Sequence, residues 1–207
     1  MELIHQTFAL YLKLFFLLTP FFVLGTFITL TDGVDSKLRR KLAMRIALGA
    51  MGVTLSIYYA GGVIMKVFGI TVDAFRAGSG VLLLLVAIKL VYGDDSAEQQ
   101  RHKTSAELLR DAVVPLAVPI TAGPATLGTL IVMGLEKSTW NEKLATAAAM
   151  VMACWTIGLM LFFSGVIVRV LGRTIIAMLG KITGLILSAI AMSMIITGVH
   201  ALWTAAA

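Results

Sequence analysis

Apolar residues run along this chain in six blocks, at about 7–30, 46–66, 77–92, 112–134, 144–168 and 182–203, with polar and charged residues gathered between them. A helix needs roughly 20 mostly apolar residues to cross the hydrocarbon core of a bilayer. Five blocks reach that length, and the third reaches it only if residues before Phe75 contribute. The pattern predicts an all-α integral membrane protein with six transmembrane helices in a single membrane domain, 1–207. The longest hydrophilic stretch, "YGDDSAEQQRHKTSAELLRD", divides that domain into a first half (1–93), a linker (94–111) and a second half (112–207). Three helices is an odd number, so the two halves enter the membrane from opposite faces. Related halves would then form an inverted repeat, an architecture that recurs among secondary transporters.

Composition agrees with this reading. Hydrophobic residues make up 59% of the 207 and charged residues only 14%, against roughly 25% charged in a soluble domain. The net charge of +6 would suit a nucleic-acid partner, but the basic residues flank the apolar blocks. Lys37, Arg39, Arg40, Lys41 and Arg45 follow the first block. Lys89, Arg101, Lys103 and Arg110 lie around the third connection, and Arg169, Arg173 and Lys181 around the fifth. The opposite side has only Lys13, Lys66, Arg76, Lys137 and Lys143. By the positive-inside rule connections one, three and five face the cytoplasm. Both termini then face outward, on the side opposite the cytoplasm, and no nucleic-acid partner is expected. Glu2 and Lys13 argue against reading the N-terminus as a cleaved signal peptide. Tyr92, Trp140 and Trp203 read as interfacial anchors.

Candidate chemistry is sparse. Cys154, the one cysteine, sits in "VMACWTIGLM" and reads as a small buried residue. No metal-ligand spacing, phosphate loop or nucleophile elbow is present, so no metal and no cofactor are expected. An acid–base or nucleophile–base pair at membrane depth is also missing, so the chain does not read as an enzyme. Gly78, Ser79 and Gly80 in the third block, and Gly184, Ser188, Ser193 and Thr197 in the last, read first as helix-packing residues. His200 reads as a structural interfacial histidine.

The prolines carry more. Pro115, Pro119 and Pro124 all fall in "VVPLAVPITAGPATLGTLIVMG", and the fourth, Pro20, lies five residues before Gly25 in the first block. An interior proline removes one backbone hydrogen bond and clashes with the preceding turn, at about 3 kcal/mol. In lipid the freed groups cannot turn to water, so such breaks are tolerated inside protein or along a wet cavity. The first and fourth helices are therefore expected to break near the midplane, over 19–25 and 119–124, around a shared cavity. The half-helix after each break offers bare N–H groups, and the one before it bare carbonyls. Thr19, Thr26, Thr29, Thr121, Thr126 and Thr129 lie close enough to add hydroxyls. No Asp, Glu, Lys or Arg falls at the centre of a block. A permanently charged guest would need a counter-charge there, so opposed backbone dipoles suit a small neutral or zwitterionic solute.

These stretches resemble the MarC family of six-span bacterial membrane proteins, which includes SnatA-type neutral amino acid transporters. "VVPLAVPITAGP" (113–124) is similar to that family's P-L-A-x-P-x-x-A-G-P-G signature. "FGITVDAFRAGSGVLLLLVAIKL" (68–90) and "KITGLILSAIAMSMIITGV" (181–199) resemble two further segments of it. The family's first break usually reads Asn/Asp-Pro-x-Gly-x-x-Pro. Here Thr19 stands in place of the acid or amide, Phe22 in place of the inner glycine and Gly25 in place of the second proline. Phe21 and Phe22 would narrow the cavity and make it less polar. Ala125 replaces the glycine after "AGP". The resemblance implies an inner-membrane transporter of the wider LysE-like group, moving a neutral amino acid or similar solute with a cation gradient.

The residues expected at the substrate site are Thr19, Pro20 and Gly25 from one break, with Pro119, Thr121, Ala122, Gly123 and Pro124 from the other. The expected partners are a small-molecule substrate, the lipid bilayer, a coupling cation (proton or sodium) and further copies of the chain. Two alternatives stay open: an exporter of a more apolar small molecule or drug, which Phe21 and Phe22 favour, and a non-transporting assembly or sensor subunit that needs the breaks only for packing.

Overall fold

The computed structural model describes the backbone of residues 2–92, 124–136 and 139–206. Every regular element among them is helical: α1 (Glu2–Leu17), α2 (Pro20–Leu30), α3 (Ser36–Phe68), α4 (Val72–Tyr92), α5 (Pro124–Glu136), α6 (Trp140–Phe162) and α7 (Ser164–Ala206). α1 and α2 together make one apolar span, and α3, α4, α6 and α7 are each long and apolar enough to cross a membrane. α5 is a shorter apolar helix. The described residues thus carry five candidate spans where the sequence pattern predicts six. Most of the expected fourth block precedes α5 and lies outside the described residues.

Several boundaries differ from the apolar blocks. Residues before Phe75 do contribute to the third span, because α4 starts at Val72. The fifth block, expected to run to residue 168, ends at Phe162. The interruption is one residue, Phe163, whose carbonyl accepts from the N–H of Val166 and the N–H of Ile167, and residues 164–168 begin α7. α7 bends at Gly172, whose φ of 76° and ψ of 159° interrupt the helix. Arg169 and Arg173 flank this bend, and Lys181 stands further along the helix that follows it.

Local chemistry accounts for the turns. Asp35 caps α3, its carboxylate accepting from the N–H of Lys37 at 3.2 Å. α3 ends at Gly69 (φ 63°), and the N–H of Ile70 donates back to the carbonyl of Met65 at 3.1 Å. That left-handed closure is natural for glycine. At the start of α6 the Glu142 carboxylate accepts from the N–H of Thr139 at 3.4 Å.

The helices pack in a closed cycle. α1 lies on α6, α6 on α3, α3 on α5, α5 on α4, α4 on α7, and α7 on α2, which continues the span begun by α1. Leu14, Leu17, Leu24, Leu130, Met150 and Leu187 are among the side chains sealed in the core. The outer surface carries many exposed large apolar side chains, Val63, Val67, Leu85, Val166 and Leu185 among them. Such a surface is unfavourable in water and natural in a bilayer. Tyr92, Trp140 and Trp203 are exposed near helix ends, as interfacial anchors should be.

The α4–α7 seam is the most extensive contact, and glycine makes it possible. A Cβ at Gly80 would lie 3.0 Å from the carbonyl oxygen of Ala191, and one at Gly184 2.9 Å from that of Ala87. Small residues allow this backbone approach. Ser79 is buried with Gly80, whereas Gly78, Ser193 and Thr197 are exposed and do not serve the packing expected of them. Ser188 is half-buried and bonds back to the carbonyl of Leu185. Cys154 is buried beside Thr54, as expected.

Ion pairs join the ends of the bundle. On one face Arg173 meets Asp32 at 2.9 Å, beside the α2–α3 turn. On the other, Arg76 at the start of α4 bonds Asp73 and reaches Glu136 at the end of α5.

Candidate functional site

The first span is interrupted at Leu18 and Thr19. Leu18 N–H still donates to Leu14 at 3.1 Å, but Thr19 N–H falls back to Phe16 at 2.9 Å, a tightened last turn. Pro20 then has no N–H to give. Thr19 sits in the left-handed region at φ 48°, ψ 55°, alone among the described non-glycine residues in having a positive φ. A β-branched residue there is a genuine outlier, of the kind that costs roughly 1–3 kcal/mol and collects at functional sites. Past it the chain restarts at once: Pro20 occupies the first turn of α2, where its fixed φ suits a helix start, and Val23 N–H donates to the Thr19 carbonyl at 3.0 Å.

The interruption is therefore two residues long, shorter than the expected break over 19–25. Gly25 does not break the helix; it lies inside α2 (Pro20–Leu30), because glycine keeps the N–H that proline lacks. It faces α7, with Ile176 Cγ2 3.9 Å from where its Cβ would be. Thr29, also placed near the break, bonds back to the Gly25 carbonyl at 3.1 Å.

α5 reaches the interruption from the far side of the proline-rich segment. Thr126, in the first turn of that helix, donates its hydroxyl to the carbonyl of Leu17 at 3.3 Å. One turn on, Thr129 is buried and points at the sulfur of Met194 on α7, at 3.6 Å. Between them Gly128 packs against Ser79 of α4, so closely that a Cβ on Gly128 would collide with the serine hydroxyl. Thr19, Ser79, Thr126 and Thr129 are all buried. Leu17, at the end of α1, and Thr126, at the start of α5, thus join the interrupted first span to the helix that follows the proline-rich segment.

Pro124 is the first residue of α5. Pro119, Thr121, Ala122 and Gly123 lie outside the described residues, so the second expected break is met only through α5. Sequence reasoning named Thr126 and Thr129 as nearby hydroxyls but had no means of finding Ser79 opposite Gly128. Phe21 and Phe22, expected in the wall of the broken site, line a cavity of about 280 Å³ together with Gly25, Thr26, Leu90 and Ile176.

The electrostatics of the interior are uniform. Setting aside the hydroxyl of Tyr58 and the thiol of Cys154, every buried polar side chain among the described residues is a threonine or a serine; none is Asp, Glu, Lys, Arg or His. Thr31, Thr54, Thr146 and Thr183 spend their hydroxyls on carbonyls of their own helices, the usual fate of a helical threonine. Thr126 does not; it crosses to another helix. No cluster of three or more His, Cys, Asp or Glu suited to a metal ion occurs among the described residues. The arrangement can contact a small guest through hydroxyls and peptide groups, without a fixed charge.

Residues 4–203, nearly the whole chain, match the family described as MarC family integral membrane proteins. The chain belongs to the MarC family. Among its relatives, a UPF0056 membrane protein of Methanocaldococcus jannaschii is 33% identical over 190 residues, covering 91% of this chain and 93% of that one. A UPF0056 membrane protein of Aquifex aeolicus is 31% identical over 191 residues, covering 91% and 89%. The UPF0056 membrane protein YhcE of Escherichia coli is 28% identical over 202 residues, covering 95% and 93%. No solved structure matches the chain. Membership and the apolar helices make this MarC chain a multi-pass membrane protein.

Proposed function

We propose that this MarC protein is a secondary transporter of a small neutral solute, best of all a neutral amino acid, bound where the interrupted first span meets the start of α5. The observation that carries this reading is the bond from Thr126 to the Leu17 carbonyl. It joins the strained two-residue gap at Leu18 and Thr19, inside an apolar bundle, to the start of α5. Backbone freed from its helix at membrane depth belongs beside protein or a cavity, not lipid. The lack of a buried ionic side chain among the described residues supports a guest without net charge, because a buried ion would need a partner. A zwitterion can be met by carbonyls at the end of α1 and N–H groups at the starts of α2 and α5.

Six spans in two inverted halves complete the proposal. The packing cycle supports it: α1 and α2 touch the last two long helices, while α5 touches α3 and α4. Exchanging the halves exchanges those two sets of contacts and returns the pairs α3–α6 and α4–α7 to themselves. One half rocking against the other would expose the gap to each side in turn, driven by a proton or sodium gradient. The basic residues of the α2–α3 turn and of α7 favour the cytoplasm for that face of an inner membrane, with both termini opposite. No enzymatic step is part of this reading.

The test is flux. Purified protein in liposomes should accumulate labelled glycine or alanine under an imposed proton or sodium gradient, and empty liposomes should not. Absence of flux with both solutes under both gradients would overturn the amino acid reading. One observation favours an exporter of more apolar molecules, namely Phe21 and Phe22 on a cavity wall. On that reading Phe22→Gly lowers export of an apolar dye and leaves amino acid uptake absent.

A further inference from the structure

α2, α4 and α7 enclose the cavity of about 280 Å³, whose wall is mostly apolar and whose rim carries Lys89, Lys181 and Arg173. Arg173 is engaged by Asp32. Lys89 and Lys181 are exposed, and among the described residues Asp32 and Arg76 with its partners account for the interhelical ion pairs. Among the described residues neither lysine has an acidic partner.

The depth of the two lysines follows from the glycine contacts. α4 and α7 run antiparallel, with Gly198 against the carbonyl of Asp73 and Gly184 against that of Ala87. Continuing this register sets Lys89 within one residue of the level of Lys181, and both line the cavity. At 1.5 Å per residue both stand roughly 25 Å from the level of Asp73, close to the thickness of a hydrocarbon core of about 30 Å. If Asp73 marks one boundary, the lysines mark the other. Each also continues an exposed apolar stripe: Leu82 and Leu85 lead to Lys89 on α4, and Leu185 and Met178 flank Lys181 on α7. In a membrane these stripes face acyl chains.

A lone lysine at such a place lifts its ammonium to the interface. Two at one level, without an acidic partner among the described residues, over an apolar cavity, form a complement to an anion with an apolar tail. We propose that this cleft holds an acidic phospholipid of the leaflet on the α2–α3 turn side, its phosphate between Lys89 and Lys181 and an acyl chain against Phe21, Phe22 and Ile176. The lipid-facing stripes favour this occupant over a soluble anion. Nothing in the inference depends on transport.

Native mass spectrometry of the full chain from nanodiscs of equal phosphatidylcholine and phosphatidylglycerol tests it. Phosphatidylglycerol should be retained in preference. The Lys89→Gln/Lys181→Gln pair should weaken that retention about 30-fold, the factor for two interfacial lysines. Lys89→Arg/Lys181→Arg should preserve it, as should Lys37→Gln/Lys41→Gln on the same face. Ala177→Trp, which fills the cleft and leaves both lysines in place, should also reduce it, and serves if the double glutamine variant does not fold. Equal retention of both lipids, an equal loss in the Lys37/Lys41 control, or displacement of the lipid by millimolar inorganic phosphate would overturn the proposal.

Discussion

Thr126 in the first turn of α5 supplies, across 109 residues of sequence, the hydrogen bond that the Leu17 carbonyl loses when α1 stops. Both partners are buried, so removing the donor leaves a carbonyl facing no water. Such a loss costs about 1–3 kcal/mol. Thr126→Val, nearly isosteric, should lower the midpoint of thermal unfolding in detergent and reduce glycine and alanine flux in liposomes. Thr126→Ser keeps the hydroxyl and should stay near the parent in both. Equal flux from the valine and serine variants would remove Thr126 from the transport site.

Thr19 holds a conformation that its β-branched side chain resists. Asparagine and glycine enter the left-handed region far more readily. Thr19→Asn should therefore stabilise the fold by about 1 kcal/mol, seen as a higher unfolding midpoint. The MarC pattern with Asn or Asp before the first proline fits the same backbone requirement. Thr19→Val keeps the strain and removes the hydroxyl, so its stability should match the parent. A fall in flux for Thr19→Val at unchanged stability would assign the hydroxyl to the guest.

The α4–α7 seam leaves no room at Gly80 or Gly184, where a new Cβ meets backbone oxygen. Overpacking of this kind typically costs 1–3 kcal/mol. Gly80→Val and Gly184→Val should each lower the unfolding midpoint clearly. Gly52 on α3 faces open space, and Gly52→Ala there should gain up to about 1 kcal/mol through helix propensity. Opposite signs for the two classes in one thermal assay would confirm the seam.

The sequence made some of this legible and hid the rest for physical reasons. Apolar length alone is enough to reveal membrane helices, so α3, α4 and α6 each overlap a predicted block, with their ends displaced from it. The interruption at Phe163 is written in apolar residues on both sides, and hydropathy does not register it. The bend at Gly172 lies in a dihedral angle that sequence does not display. Pro20 announced the first interruption, since proline alone lacks the N–H. Gly25 misled, because a glycine within a helix keeps its hydrogen bond. The Leu17–Thr126 bond depends on two distant segments meeting, which no local pattern encodes. Five of the eight proposed site residues come from the proline-rich segment, and four of these (Pro119, Thr121, Ala122 and Gly123) fall outside the described residues.

Orientation can be tested with a chain that is nearly made for it. Cys154 is the one cysteine, and it is buried at 2% exposure, so a membrane-impermeant maleimide should leave the natural chain unlabelled. Ser36, beside the α2–α3 turn, and Thr71, beside the α3–α4 turn, are both exposed. They lie at opposite ends of α3, a helix of 33 residues, or about 50 Å at 1.5 Å per residue. The basic cluster Lys37 to Arg45 follows Ser36 directly, and the positive-inside rule puts that end in the cytoplasm. Thr71→Cys should therefore react in intact spheroplasts, and Ser36→Cys only in inverted vesicles. Reaction of Ser36→Cys in spheroplasts would invert the assigned topology and place both termini in the cytoplasm. Reaction of both variants from one side would show that α3 does not cross the membrane at all.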